Sequence, residues 1–313
     1  MRDAFVAELT RLARRDPRLT LVVGDLGYGV IDDFANEMPE QFVNAGVAEQ
    51  NMIGIAAGLA ASGRRVFVYS IANFATLRCL EQIRNDLCYH QQDVSIVSVG
   101  AGVAYGTHGY THHAVEDISA LRSLPGLRIL SPADPTEAAA AAAYCSMSRG
   151  PNYVRLGKNG EVRLHTADAT LDLSQPLPLR QGSDVNILAT GSIVEACLTA
   201  AELLSQSHDI ECSVYSCPLV RPLDPTWLQD LDDRVPLVTV EEHFREGGFG
   251  SLVLEMSNDL RTGHAITRAG LNSSNFSLLG SQGYLRSQSN LDIDGIAKAV
   301  LSASAGVGRG INL

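Results

Sequence analysis

Five short apolar runs, residues 19–23, 65–69, 94–99, 127–130 and 153–156, are rich in valine and isoleucine and mostly lack strict apolar–polar alternation. A strand with one wet face alternates; a strand that does not is covered on both faces, the condition of a parallel sheet wrapped by helices. Helical stretches lie between the runs at 45–61, 73–90 and 135–146. Strand and helix taking turns in this way predict a doubly wound parallel sheet. From 158 to 183 the pattern dissolves into Gly, Pro, Gln and Asp, which reads as a linker. A second α/β series follows, with strands expected at 185–189, 212–215 and 237–240 and helices at 193–204, 248–256 and 292–303. The expected fold is therefore α/β with two doubly wound domains. A mainly parallel-sheet domain spans 1–160, a linker 161–182, and a smaller α/β domain 183–313.

A length of 313 residues suits two such domains. Lys and Arg total 24 against 35 acids, a net charge of −11, so no surplus positive field is present for nucleic acid or an anionic membrane. The six cysteines form no CxxC pair and mostly sit in apolar stretches, which fits buried free thiols rather than a zinc knuckle or a disulfide framework. The longest apolar run, near 52–61, is too short to span a bilayer. The helical-looking N-terminus carries Asp3 and Glu8 with no apolar signal core after it, so a cytoplasmic location is expected.

Three features bear on chemistry. Gly100-Ala-Gly102-Val-Ala-Tyr-Gly106 follows the run at 94–99, where a dinucleotide fingerprint would stand. Its spacing is GxGxxxG, and Gly106, His108 and Gly109 prevent the helix whose N-terminus must face a pyrophosphate. The same loop holds His108, His112 and His113. Paired metal-ligand spacing is missing, so these histidines either hydrogen-bond a polar substrate or belong to a solvated connection; the residues alone leave both open. Glu49 stands at the first turn of a helix apolar on nearly every face. By itself it reads as a partner of the helix dipole, while a buried carboxyl there would hold its proton to higher pH. GxSxG, P-loop, HExxH and EF-hand motifs do not occur.

Taken together, three segments change the weighing. Ala45-Gly-Val-Ala-Glu-Gln-Asn-Met-Ile-Gly, Phe74-Ala-Thr-Leu-Arg-Cys-Leu-Glu-Gln-Ile-Arg-Asn-Asp and Gly109-Tyr-Thr-His-His-Ala-Val-Glu-Asp resemble, in this order, the pyrimidine-binding domain of transketolases and 1-deoxyxylulose-5-phosphate synthases. Residues 183–243 resemble the C-terminal domain of that family, with Ala189-Thr-Gly-Ser, Arg221-Pro-Leu-Asp and Val240-Glu-Glu-His. The family's diphosphate and metal motif, GDG followed by Asn, is missing. The resemblance implies the C-terminal subunit of a split enzyme dependent on thiamine diphosphate. The expected partner is an N-terminal transketolase-like subunit that supplies the Mg and diphosphate ligands, in a heterotetramer of two of each chain. No metal ligand is expected in this chain.

The resemblance also implies roles. Glu49 would hydrogen-bond the cofactor's pyrimidine N1′, which requires a proton within reach at neutral pH. Phe74, equally readable as a core aromatic, would pack on the pyrimidine ring, and Asp25 and Arg78 would line the cofactor site. His112 would contact substrate oxygens and act with Glu49 in catalysis, while His113 and His90 are read as structural. His108 stands where transketolases carry an aspartate that recognises the C2 hydroxyl of the sugar. Arg2 and Lys158 fit two basic positions of the family's phosphate clamp, whereas its histidine and serine positions fall on Gly100 and Gly29. The implied reaction is transfer of a two-carbon ketol unit from a ketose or 2-oxo donor to an aldehyde. Alternatives are the β-type subunit of a 2-oxo-acid dehydrogenase and a catalytically idle homologue that only binds a partner.

Overall fold

The non-alternating runs are strands buried on both faces. In the computed structural model, which describes residues 1–307, β1 (Leu19–Val23), β2 (Phe42–Asn44), β3 (Arg65–Ile71), β4 (Val94–Val99), β5 (Arg128–Leu130) and β6 (Asn152–Leu156) belong to one sheet. β7 (Leu177–Arg180), β8 (Val185–Thr190) and β9 (Cys212–Ser216) start a second; β10 (Leu219–Arg221) returns to the first, and β11 (Leu237–Phe244) and β12 (Ile266–Leu271) complete the second. The strand orders are β10-β5-β6-β4-β3-β1-β2 and β12-β11-β8-β9-β7. Pairing is parallel except at two edges, where β10 runs against β5 and β7 against β9. The two mainly parallel sheets are those the sequence predicts.

Successive strand residues face opposite sides. Val22, Val66, Val68 and Ile96 pack with Met52, Ile53 and Ala56 of the helix Glu49–Ala61. Leu21, Val23, Phe67 and Val97 pack with Phe5 and Leu9 of the helix Arg2–Ala13 and with Ala138 and Ala141 of the helix Pro135–Met147. The first of these layers continues into Leu237, Phe249 and Val253, so the two sheets share a core. Among the described residues, no helix is long and apolar enough to cross a membrane.

Three expectations need correction. The stretch 161–182 is not all linker: β7 pairs with β9, an edge position where Pro178 needs no ladder donor and masks the strand signal. Helix 45–61 starts at Glu49, because residues before it form a turn in which the Asn44 side chain accepts the Gly46 N–H at 3.0 Å. Residues 73–90 are not one helix. A short helix Ala72–Ala75 ends at Thr76, whose hydroxyl donates to the Ala72 carbonyl at 2.7 Å, and a 3₁₀ turn, one helical turn and the π-helical segment Ile83–Tyr89 follow.

A buried ionic group sits where the sheets meet. Arg155 on β6 donates from Nε to Asp117 Oδ2 at 2.8 Å, and from Nη2 to the carbonyls of Ala114 and Glu242 at 2.6 and 2.8 Å. Tyr153 donates its hydroxyl to the same Asp117 oxygen at 2.5 Å, and all three side chains are buried. Removing one partner of a buried pair leaves an uncompensated charge, so Asp117→Asn should lower the unfolding free energy by about 3–5 kcal/mol in urea titration. A loss below about 1 kcal/mol, the worth of an exposed pair, would show that this group does not hold the sheets together.

Candidate active site

The polar side chains singled out in the sequence gather at the carboxyl ends of the first sheet's strands, the edge where open α/β sheets present ligands. Asp25 follows β1, Glu49 follows the turn after β2, Phe74 and Arg78 follow β3, the histidine loop follows β4, and Lys158 follows β6.

Glu49 is the first residue of its helix and is 4% exposed. It is not a partner of the helix dipole alone: Arg78 Nη1 donates to its Oε2 at 2.7 Å. Among the described residues no donor reaches Oε1. The Arg78 guanidinium also lies 4.5 Å from the centre of the Phe74 ring, so one cation orients both the acid and the aromatic. Phe74 is half-buried, and its ring meets His112 edge-on at 5.1 Å. His112 is in turn 5.1 Å from His108, ring centre to ring centre. Partial burial, and after it the neighbouring His108, hold His112 below the ordinary histidine value.

Tyr105 extends the series. Its ring is 5.6 Å from His108 and 6.3 Å from His112, and Lys158 Nζ lies 5.2 Å above it. Lys158 is exposed. Arg2 is half-buried, is ion-paired with Asp3 at 3.1 Å, and acts on the Tyr105 and Tyr69 phenols through its charge. Asp25 sits apart from the histidines. Its backbone is left-handed (φ 56°), and its carboxylate accepts from Asn44 at 2.9 Å and Tyr28 at 2.7 Å, which hold it below the usual carboxylate range. Because Asn44 Oδ1 also binds the Asp25 and Gly46 N–H groups, Asp25 braces the turn leading to Glu49. His113 is buried and His90 is exposed beside Tyr89.

The loop is anchored from the second sheet. Glu242, at the end of β11, accepts the Val103 N–H on Oε1 at 2.7 Å. Arg286 Nε donates to Oε2 at 2.6 Å and Gln282 to both oxygens at 2.9 and 3.0 Å. A side chain on Gly102 (φ 62°) would collide with Glu242, so this position admits only glycine. Gly102 and Ala114 close the base of the loop as an antiparallel bridge, with the Ala114 carbonyl also held by Arg155. Its neighbour Glu241 turns the other way and caps the helix Phe249–Leu260 through the Phe249 and Gly250 N–H groups; burial pushes its carboxyl up to about 7. The sequence reading missed Tyr105, Glu242 and Arg286, although two acids at the end of an apolar strand were a visible signal.

Another cluster, Asp134, Glu137 and His165, has metal-ligand residue types within reach of one another. Its oxygens are engaged: Asp134 accepts the Glu137, Leu164 and His165 N–H groups, and Glu137 accepts the Ala133 N–H and faces His165 Nε2 at 3.0 Å. The cluster ties the chain after β6 to the start of the helix Pro135–Met147.

A sheet of this strand order with its polar groups at the carboxyl edge, buttressed by a smaller, mainly parallel sheet, defines an α/β protein of two packed sheets with its candidate site on the first. The family model for the transketolase pyrimidine binding domain matches residues 1–160, and that for the transketolase C-terminal domain matches residues 176–276. The chain belongs to the transketolase family. It is 37% identical over 257 residues, 81% of this chain and 82% of the relative, to one of the subunits of the apulose-4-phosphate transketolase of Phocaeicola vulgatus. It is 34% identical to the 6-deoxy-6-sulfo-D-fructose transketolase subunit SqwH of Clostridium sp. (strain MSTE9), over 82% of this chain and 80% of that one. A solved structure described as a split gene transketolase, inactive beta4 tetramer, superposes with a TM-score of 0.88 at 31% identity, covering 98% of this chain and 99% of that one. Membership implies thiamine diphosphate as the cofactor. The donor set at Glu49 fits it: a buried carboxylate with one oxygen free beside a half-exposed aromatic ring matches a flat aminopyrimidine that needs a hydrogen-bond partner at a ring nitrogen.

The histidine pair yields a titration test. A proton on His108 disfavours a second on His112, so His108→Gln should move the His112 midpoint upward, toward the ordinary value, in an NMR titration of the imidazole resonances. An unchanged or lower midpoint would mean that the two rings do not share a site.

Proposed function

We propose that the chain is the pyrimidine-binding subunit of a split transketolase, transferring a two-carbon ketol unit from a ketose or 2-oxo donor to an aldehyde acceptor. It acts only when joined to an N-terminal-type subunit that holds the diphosphate through magnesium and oxygen ligands, in a heterotetramer of two of each chain. The observation that carries this reading is the half-free carboxylate of Glu49 bound by Arg78, whose guanidinium also lies against the Phe74 ring, which in turn meets His112. Two relatives described as transketolase subunits support the division between chains. The buried free thiols fit a reducing cytoplasm.

Thiamine diphosphate, when bound, would supply a nucleophilic thiazolium carbon for the ketol transfer. Glu49 would hold the pyrimidine N1′ through its free Oε1 and carry a proton there, with Arg78 fixing Oε2. Phe74 covers the pyrimidine face. Asp25 lines the cavity at the end of β1 and holds the turn that sets Glu49 at its depth. His112, kept neutral at pH 7 by its depressed pKa, can both donate to and accept from substrate oxygens, and His108 does so one step outward. Lys158 and Arg2 place positive charge at the far end of the site. With glycine at 100 and 29, that end offers fewer charge-assisted bonds than a full phosphate clamp, so the preferred acceptor is an aldehyde other than ribose 5-phosphate.

Glu49→Gln tests the assignment. The near-isosteric change should leave co-purification with the partner intact and lower kcat by about 10²-fold or more, the scale of a lost proton-transfer group. Turnover within a few-fold of the unmodified enzyme would remove Glu49 from this role.

A further inference from the structure

The Tyr105 ring lies near the Lys158 amine and two of the loop histidines, His108 and His112, and the resemblance gave it no role. Its position depends on a glycine. Gly100 leaves β4 with φ 99°, and a Cβ on it would fall within the Tyr105 ring. The ring therefore fills the space that any side chain at position 100 would use. Tyr105 is half-buried, yet among the described residues its hydroxyl has no hydrogen-bond partner. Burial pushes the phenol up and the Arg2 charge opposes this, so the hydroxyl keeps its proton at neutral pH and can donate.

Around the ring, the charges and donors are arranged for a polar guest. Lys158 Nζ lies 5.2 Å from it and forms no ion pair with a described residue, while His108 and His112 stand at 5.6 and 6.3 Å. The ring also occupies volume: folded against Gly100, it fills the space beside the end of β4 that a smaller side chain at 105 would leave empty.

We propose that Tyr105 is a specificity-determining residue of the acceptor site, its ring closing the cavity at Gly100 and its free hydroxyl donating to a hydroxyl oxygen of a short polyhydroxy aldehyde. This rests on the ketol-transfer reading above and deepens it by naming the acceptor class. The ring sets acceptor length, and the hydroxyl adds one hydrogen bond to acceptors short enough to stop beside it. Glu49, which binds on the cofactor side, is not involved.

The test uses the assembled two-chain enzyme with hydroxypyruvate as donor, whose carboxylate leaves as carbon dioxide, and compares D-glyceraldehyde with D-ribose 5-phosphate as acceptors. Tyr105→Leu, which removes both ring and hydroxyl, should shift the ratio of kcat/KM values at least tenfold toward ribose 5-phosphate while the KM for hydroxypyruvate stays within twofold. Tyr105→Phe keeps the shape, and should lower kcat/KM for glyceraldehyde by about three- to tenfold, one hydrogen bond's worth, with ribose 5-phosphate unaffected. A ratio that stays within twofold in both variants overturns the proposal while leaving ketol transfer intact. Failure of the unmodified enzyme to transfer a ketol unit to either acceptor overturns the underlying reading instead, and this proposal with it.

Discussion

Glu242 takes the Val103 N–H at 2.7 Å, and the shape of the histidine loop follows from that bond. The loop runs from Gly100 to His113 without a regular element longer than one 3₁₀ turn, so its own backbone cannot hold it. Its base is gripped instead from two sides, by Glu242 from the second sheet and by Arg155, which binds the Ala114 carbonyl while paired with Asp117. These charges are buried; Glu242 and Arg155 are each bound several times over, and Asp117 takes both Arg155 and Tyr153 on Oδ2. In a low-dielectric interior breaking these bonds would be costly, so the network favours one arrangement of the loop. The smaller domain thus contributes to the site without placing a side chain against the proposed ligand.

From this fixed base the site acquires its gradient. At the inner end, Glu49 is buried with one oxygen neutralised by Arg78, and Phe74 offers an aromatic face. Midway, His112 stands 5.1 Å from His108 and is held below the ordinary histidine value by partial burial and by that neighbour, so it remains a hydrogen-bonding ring rather than a fixed charge. At the outer end, Arg2 and Lys158 carry positive charge in a chain whose net charge is −11. The proposed ketol transfer asks for a cofactor ring, a reacting carbon and a polar acceptor in that order.

Much of the first sheet was legible because its strands are covered on both faces: the runs that became β1 and β4 have the bounds read from the sequence, and the two-sided burial of Val22 and Leu21 is what their lack of alternation encodes. Edge strands were not. β2, β7 and β10 are three or four residues long, carry Pro or polar residues, and owe their pairing to neighbours distant in sequence. The segment after β3 misled because its apolar spacing suits a helix, while the Thr76 hydroxyl competes for the backbone. At the site, Glu49, Phe74, Arg78, His108 and His112 were found by motif and do meet in space. Tyr105 and Glu242 were not, since their importance lies in collisions with the absent Cβ atoms of Gly100 and Gly102, which no periodicity reports.

The central claim is that the smaller domain holds the histidine loop in place within this chain, before a partner or cofactor binds. Native-state amide hydrogen exchange on the isolated chain measures this directly at the Val103 and Ala114 N–H groups, whose acceptors are Glu242 and Gly102. Protection approaching that of the β4 amides in the unmodified chain, falling selectively at these two positions in Glu242→Ala while β1 and β3 remain protected, is the result this account requires. Exchange of Val103 at the rate of an open loop in the unmodified chain would contradict it.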